Sequence, residues 1–147
     1  MSSYRTNTAS REQILQHFKE CEFEPQLESY VDLEEYIEKI LKNAERFECW
    51  ADNSLAGLVA LYANNTDTRE CFVTMVSVGA QYGGKGIAGA LIERAIIYSR
   101  ENKFERMGLE VFLTNQRAIK IYDKFGFQAV HTGENKIKME LMLGENG

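Results

Sequence analysis

A strand-length run, a glycine-rich turn and a helix-length amphipathic segment follow one another between Cys71 and Asn102. Cys71–Gly79 is apolar and β-branched, which is typical of a buried strand. From about Ile87, apolar or small residues recur at helical spacing and predict one buried helix face, formed by Ala88, Leu91, Ile92, Ala95, Ile96 and Ser99. A strand that turns through glycines into a helix leaves backbone N–H groups unpaired at the positive end of the helix dipole. The stretch therefore predicts an anion site, for which phosphate is the commonest ligand.

Two phosphate-binding patterns fit this turn only in part. The P-loop of NTPases matches Gly79, Gly84 and Lys85, but it requires a Ser or Thr for Mg²⁺ at position 86, which is glycine here. The dinucleotide fingerprint G-x-G-x-x-G is met by Gly84, Gly86 and Gly89, and an acidic residue, Glu110, follows about 20 positions on. That fingerprint normally opens a βαβ domain, whereas here it lies mid-chain with little sequence after it.

A third pattern asks for Gln or Arg, two residues, Gly, one residue, and then Gly or Ala. Gln81, Gly84 and Gly86 match it, and a register two residues later matches its last two positions with Gly86 and Ala88. A second motif, N-x-x-A-x-x-x-Y, follows at Asn115, Ala118 and Tyr122. Together the two motifs, over about residues 55–130, resemble the GNAT superfamily of acyl-CoA-dependent N-acetyltransferases.

The resemblance implies a fold and a co-substrate. We expect residues 1–147 to form a single N-acetyltransferase domain of the α/β (α+β) class, with a mixed, mostly antiparallel sheet, a splayed central parallel strand pair and helices on both faces. Acetyl-CoA would place its pyrophosphate at the N–H groups of the glycine turn and its pantetheine arm along the end of the preceding strand. The expected cofactor-binding residues are Val76, Ser77, Val78, Gln81, Tyr82, Gly83, Gly84, Lys85, Gly86, Ile87, Ala88, Gly89, Asn115, Ala118 and Tyr122.

The resemblance also suggests catalytic residues for direct transfer of an acetyl group to a primary amine. Tyr122 is the candidate acid that protonates the departing thiolate, although a tyrosine here can also serve packing alone. Glu110 is the candidate base, 12 positions before Tyr122, a spacing like that of the N-terminal-alanine acetyltransferases of ribosomal proteins. A carboxylate is a weak base for an ammonium, so burial or a water relay would be needed. A salt-bridged strand glutamate is one alternative for Glu110. A route through a main-chain carbonyl and water, with no dedicated base, is another.

Two other functions stay open from the sequence. The resemblance also allows a domain that binds acyl-CoA as a sensor without catalysing transfer. A dinucleotide-binding domain is a weaker alternative hypothesis. The sequence does not identify the acceptor of the acetyl group. A small-molecule amine and a peptide N-terminus are both compatible with it. The resemblance implies that the segment 22–31 helps to shape the acceptor pocket. Phe23, Leu27 and Tyr30 would line this pocket or, equally, close a loop on the core.

Composition restricts partner and compartment. The chain has 147 residues, a formal charge of −5 and a pI near 5.2, which disfavours nucleic acid or an anionic membrane as partner. Three widely spaced cysteines predict reduced thiols and a cytoplasmic protein. Two histidines, His17 and His131, are too few for a convincing metal cluster, so no metal is expected. His17 is predicted to be solvated or at the edge of the core. The expected state is a monomer or homodimer.

Local signals place the remaining elements. A short strand is expected around Ser3–Asn7, and a capping box at Ser10 opens a helix to about Cys21. A second helix starts at Asp32, with Lys39, Lys42 and Arg46 toward its C-terminal end. The further predicted elements are strands at Phe47–Ala51, Leu55–Ala63 and Arg106–Phe112, a helix at Asn115–Phe125 ended by Gly126, and a closing hairpin of Phe127–His131 and Lys136–Met142.

Overall fold

The computed structural model describes residues 2–144, which form a mixed, mostly antiparallel seven-stranded sheet and four α-helices. The strands are β1 Ser2–Thr6, β2 Ala44–Ala51, β3 Ser54–Tyr62, β4 Glu70–Val78, β5 Arg106–Phe112, β6 Gln128–Thr132 and β7 Lys136–Met142. The helices are α1 Arg11–Glu20, α2 Leu33–Asn43, α3 Ile87–Glu101 and α4 Gln116–Phe125, and short 3₁₀ turns lie at Leu27–Ser29 and Ala80–Tyr82. The strand order is β1-β2-β3-β4-β5-β7-β6. These findings confirm the predicted fold class.

Chain contacts divide the protein into two compact units. The first comprises the residues up to Leu61 together with Met75–Ala95, and the second comprises Tyr62–Thr74 together with the residues from Ile96 on. Strand β4 contributes its first half to the second unit and its last residues to the first. Within residues 2–144, no helix is both long enough and apolar enough to cross a membrane.

In the first unit, both early helices start where the sequence predicts. The Ser10 side chain accepts from the N–H of Gln13, whose side chain bonds back to the Ser10 backbone, so the capping box is formed. Asp32 caps α2 in the same way through the N–H of Glu35. Such caps satisfy donors that the first helical turn leaves unpaired. The isoleucines of these helices are buried together with the continuous apolar run of β3.

The prediction that Arg46 lies near the C-terminal end of α2 is wrong. The helix ends at Asn43, and β2 begins at Ala44, three residues before the predicted start of the strand. The reason is tertiary: the N–H of Arg46 donates to the Asn7 side chain at 2.7 Å, and the Arg46 carbonyl accepts from the N–H of Asn7 at 2.9 Å. These two bonds hold residue 46 in extended backbone beside β1.

In the second unit, β4 and β5 pair in parallel, as predicted, but only along residues 70–73 and 106–109. Strand β4 continues to Val78 and β5 to Phe112 beyond this short ladder. Strand β7 pairs antiparallel with β5 along its whole length, and β6 pairs antiparallel with β7. The register of β6 shifts between Ala129 and His131, so this hairpin contains a bulge. Helix α4 ends at Gly126, whose φ of 100° is the predicted left-handed conformation.

Candidate functional site

The glycine turn lies between the end of β4 and the first turn of α3. The N–H of Gly79 bonds to the carbonyl of Ala56 on β3 at 2.8 Å, and the Gly79 carbonyl accepts from the N–H of Tyr82 at 2.9 Å. Residues 83–86 follow as an exposed loop. The first helical hydrogen bond of α3 runs from the N–H of Ala90 to the carbonyl of Gly86 at 3.1 Å. Helical bonding therefore leaves out the N–H groups of the three preceding residues, Ile87, Ala88 and Gly89. These groups lie at the N-terminal end of the helix, which attracts anions.

Two glycines give this loop its shape. Gly84 and Gly86 both have a φ of 76°, a conformation that costs a residue with a side chain about 1 kcal/mol or more. A Cβ placed on either residue would meet no atom within 4 Å. The loop is therefore open on its outer side, and the backbone can approach a phosphate closely. This open turn before a helix fits the pyrophosphate of an acyl-CoA.

The start of α3 is held against β3 by a close approach at Gly57. A Cβ on Gly57 would lie 2.5 Å from Ile87 Cγ2 and 3.2 Å from Leu91 Cδ1. The absence of a side chain at position 57 thus lets Ile87 pack onto the strand and places the first turn of α3. The helix start at Ile87 puts Gly86 directly before the helix and Ala88 in its first turn.

The last residues of β4 lead into this turn. Val76 and Val78 are half-buried, whereas Ser77 between them is buried and points to the other side of the strand. The β4–β5 ladder has ended at Val73, so these residues are not part of it. This is the segment along which the pantetheine arm of acetyl-CoA is predicted to bind. The turn residues Gln81, Gly83, Gly84, Lys85 and Gly86 are exposed, and Tyr82 and Gly89 are half-buried.

In the second unit, Tyr122 is buried in α4, with 6% of its surface exposed, and its ring lies 5.7 Å from that of Phe127. Burial raises the pKa of Tyr122 to about 12, because the phenolate would lose hydration. The side chain is therefore a neutral phenol at physiological pH and a weaker acid than free tyrosine.

Asn115 is the N-cap of α4, and its side chain accepts from the N–H of Ala118 at 3.2 Å. Its amide group is exposed and retains donors for a ligand. Ala118 is half-buried on the same helix as Tyr122. The second motif therefore spans one helix from its cap to its second turn.

Glu110 lies on β5 with about half of its side chain exposed. Its Oε1 atom is 3.7 Å from Lys136 Nζ on β7, and Lys136 also lies over the ring of Phe112. Glu110 is therefore not buried. The salt bridge named as one alternative is thus formed.

The three residues of segment 22–31 that were predicted to line the pocket differ in their exposure. Leu27 is buried at 2% exposure and belongs to the core. Phe23 is half-buried and meets the Phe18 ring edge-on, with centroids 5.9 Å apart. Tyr30 is 46% exposed. Phe23 and Tyr30 are therefore the two residues of this set that a ligand can reach.

The burial of two polar residues, His17 and Glu48, was not predicted from the sequence. His17 is 1% exposed, so of its two predicted placements, solvated or at the edge of the core, the solvated one is wrong. Glu48 is fully buried on β2. The Glu48 carboxylate accepts from the N–H groups of Thr8 and Ala9, from the Thr8 hydroxyl and from the Trp50 indole. The alternation of side chains along β2 places Glu48 on the face opposite Phe47 and Cys49 and would predict an exposed carboxylate. Glu48 is buried because both faces of this strand are covered.

Residues 2–144 contain no group of three or more His, Cys, Asp and Glu side chains arranged to hold a metal ion. The three cysteines are free.

Comparison with known proteins gives three informative similarities. Spermidine N(1)-acetyltransferase of Vibrio cholerae is 35% identical over 109 residues, which cover 71% of this chain and 62% of that relative. The ribosomal-protein-S18-alanine N-acetyltransferase of Escherichia coli superposes with a TM-score of 0.82 at 16% identity, covering 100% of this chain and 97% of that one. PaiA N-acetyltransferase of Thermoplasma acidophilum, solved in complex with coenzyme A, has a TM-score of 0.75 at 18% identity and covers 95% and 99% of the two chains.

The two structural neighbours share the fold with this chain, and the aligned part spans about three fifths of the spermidine acetyltransferase. The decisive match is to a family model described as the acetyltransferase (GNAT) family, which covers residues 11–127. This range contains both motifs, from the end of β4 through α4. The chain belongs to the GNAT acetyltransferase family.

Proposed function

We propose that this protein transfers the acetyl group of acetyl-CoA directly to a primary amine. The observation that carries the proposal is the open glycine turn at the start of α3, within a chain that the acetyltransferase family model matches. Acetyl-CoA supplies the activated thioester. The N–H groups of residues 84–89 bind its pyrophosphate, Lys85 adds a positive charge, and the backbone of residues 76–78 binds its arm.

Each remaining candidate has one role in this proposal. The Tyr122 phenol, which burial keeps protonated, gives its proton to the sulfur as the thiolate leaves. The exposed amide of Asn115 binds the arm while its oxygen caps α4, and Ala118 leaves room beside it. Glu110 takes the proton of the amine; if the ion pair with Lys136 is its sole role, the amine loses its proton to water.

We further propose that the acceptor is a polyamine. Between residues 20 and 38 the chain has eight acidic and no basic residues: Glu20, Glu22, Glu24, Glu28, Asp32, Glu34, Glu35 and Glu38. All but Glu20 are exposed. Such a segment, here called the acidic segment, attracts cations and raises their local concentration. The similarity to a spermidine N-acetyltransferase supports the same substrate class.

Cofactor binding and turnover test the first proposal separately. CoA, acetyl-CoA, NAD and ATP are compared by thermal shift, and thiol release is then followed with acetyl-CoA and a panel of amines. We expect a shift with CoA and acetyl-CoA and release of thiol with at least one amine. A shift with CoA but no turnover on any amine would favour the sensor. A shift with NAD alone would favour the dinucleotide reading.

Charge variants test the acceptor. Spermidine, spermine, putrescine and a monoamine are compared with an alanine-terminated peptide at low and high salt. We expect kcat/KM to be highest for the polyamines and to fall with salt, since exposed charges are screened. Glu22→Gln, Glu24→Gln and Glu28→Gln together should raise the KM of spermidine. Matched changes at Glu101, Glu105 and Glu134 should not. A preference for the peptide with no salt effect would contradict the polyamine proposal.

We propose that residues 1–147 make up one N-acetyltransferase domain, because the family match runs through segments of both units. The free thiols and the supply of acetyl-CoA suit the cytoplasm.

A further inference from the structure

A small polar cluster is buried where α1 ends against β3 and β4. His17 Nδ1 lies 2.9 Å from the backbone carbonyl of Leu55, and His17 Nε2 lies 2.9 Å from Ser77 Oγ. Cys21, the C-cap residue of α1, has its sulfur 3.5 Å from the same Nε2. His17 and Ser77 are 1% and 5% exposed. The ring therefore links the last turn of a helix to two adjacent strands.

These contacts determine which nitrogen carries the proton. A backbone carbonyl only accepts, so Nδ1 must carry the hydrogen that bonds to Leu55. Nε2 is then the acceptor, and the Ser77 hydroxyl donates to it. Burial lowers the pKa of His17, opposed by the bond to Leu55 and the charge of Glu20, so the ring is neutral. Burial also raises the pKa of Cys21 to about 12, which keeps its thiol protonated and unreactive.

The cluster lies next to the proposed cofactor segment. Ser77 is the middle residue of Val76–Val78, past the end of the β4–β5 ladder at Val73. Two hydrogen bonds support this segment. The N–H of Gly79 bonds to the carbonyl of Ala56 on β3, and the Ser77 side chain bonds to His17. On its other side, the ring is one turn from the beginning of the acidic segment.

We propose that His17 is a positioning residue for the acyl-CoA arm. Through Ser77 and Leu55 it holds the backbone of residues 76–78 in the geometry that binds the arm, and it anchors the start of the acidic segment to the same strand. This role rests on the proposed function. It involves no contact between His17 and substrate.

The arrangement makes cofactor binding sensitive to acid. Protonation of Nε2 turns it from an acceptor into a donor, so the Ser77 hydroxyl must reorient, and a charge appears in a buried place. The titratable groups facing the ring are Glu20 and Cys21, both from α1; β3 and β4 present the Leu55 carbonyl and the Ser77 hydroxyl, which do not titrate. Affinity for CoA therefore falls once the pH drops below the lowered pKa of His17, which lies under the ordinary histidine value of about 6.5.

Calorimetric titration of the full chain with CoA, between pH 5.5 and 8, tests the proposal. Ser77→Ala removes only the hydroxyl. His17→Asn keeps a donor near Leu55 and removes the acceptor for Ser77. At pH 7.5 both should weaken CoA binding about fivefold, the effect of one hydrogen bond, and both should abolish its decline in acid. The KM of the amine should change less than that of acetyl-CoA. Ser99→Ala, a buried serine on α3 whose hydroxyl contacts Cys71, is the matched control and should bind CoA normally.

The outcomes separate this inference from the proposed function. If the unaltered chain binds CoA while Ser77→Ala and His17→Asn bind it as well as Ser99→Ala does, with the same pH response, the cluster is purely structural and the inference is overturned. If the unaltered chain binds no CoA, the proposed function fails and the inference with it. Reduced thermal stability alone, with normal CoA affinity, counts against the positioning role.

Discussion

Lys136 Nζ on β7 lies 3.7 Å from Glu110 Oε1 on β5, and both side chains are nearly half exposed. An exposed pair of this kind stabilises a fold by about 0–1 kcal/mol, so stability is a weak reason for a carboxylate at position 110. Even in this contact, about half of the Glu110 side chain is open to solvent.

Glu110→Gln decides whether this carboxylate is the base. If it is, kcat/KM should fall most at moderate pH, and raising the pH should restore part of it, because more of the amine is already neutral. Glu70→Gln is the control, since Glu70 is a similarly exposed carboxylate bonded to Arg106 at 2.8 Å. Equal losses below about threefold in both variants, at every pH, would show that Glu110 has no part in proton removal.

Tyr122→Phe should lower kcat by about 10²-fold, the lower end of the usual range for general acids. The low end is expected because burial makes this phenol a weak acid, with a pKa raised to about 12. For the same reason, we expect no alkaline limb from Tyr122 between pH 7 and 10. Steady-state kinetics and CoA titration measure both effects, and CoA affinity should hardly change. Tyr4→Phe on the edge strand β1 is the control; an equal loss of kcat there would refute the assignment.

Gly86→Asp should abolish CoA binding, because it adds negative charge and a side chain where the backbone meets the phosphates. The unaltered chain should gain about 2.7 kcal/mol at a CoA concentration of 100 Kd, which is several degrees in Tm. Gly144→Asp controls for backbone strain and charge, since Gly144 also has a positive φ of 47° and open surroundings. Normal CoA-induced stabilisation of Gly86→Asp would rule out this turn as the phosphate site.

The stability of the ligand-free protein should depend on pH through His17. Burial lowers the pKa of His17 in the folded state below its unfolded value near 6.5. The unfolded chain therefore binds more protons in the window below 6.5, so the stabilising contribution is complete above that pH and is lost as the pH falls. Tm measured from pH 7.5 to 5.5 should fall, and His17→Asn should flatten the curve. His131→Asn, at an exposed position on β6, is the histidine control; if it flattens the curve as much as His17→Asn does, the assignment to His17 is wrong.

Glu48→Gln should destabilise the fold by about 2–4 kcal/mol, because an amide would turn a donor toward donors that now meet a buried carboxylate. The partners are the N–H groups of Thr8 and Ala9, the Thr8 hydroxyl and the Trp50 indole. Urea unfolding should show a lower midpoint at an unchanged m value. Glu45→Gln, on the same strand but only half-buried, should change stability by less than about 0.5 kcal/mol. Similar midpoints for the two variants would contradict this account.

Local chemistry accounts for what the sequence determined alone. The capping box at Ser10, the cap at Asp32, the glycine turn and the left-handed Gly126 each depend on residues within a few positions of one another, so they could be predicted. The two motifs were visible in the residues themselves. The parallel pairing of β4 and β5 followed from the order strand, helix, strand. The cofactor and catalytic roles assigned from those motifs stay predictions.

Long-range contacts decided the rest. Arg46 joins a strand and leaves the helical pattern because Asn7, 39 positions away, bonds to its backbone. His17 is buried because its ring finds partners 38 and 60 positions along the chain, at Leu55 and Ser77. Glu48 is tolerated in the core because donors about 40 positions away, at Thr8 and Ala9, join the nearby Trp50 indole and Arg46 guanidinium around its carboxylate. Whether a polar side chain can be buried depends on such partners, and only the folded chain brings them within hydrogen-bonding distance.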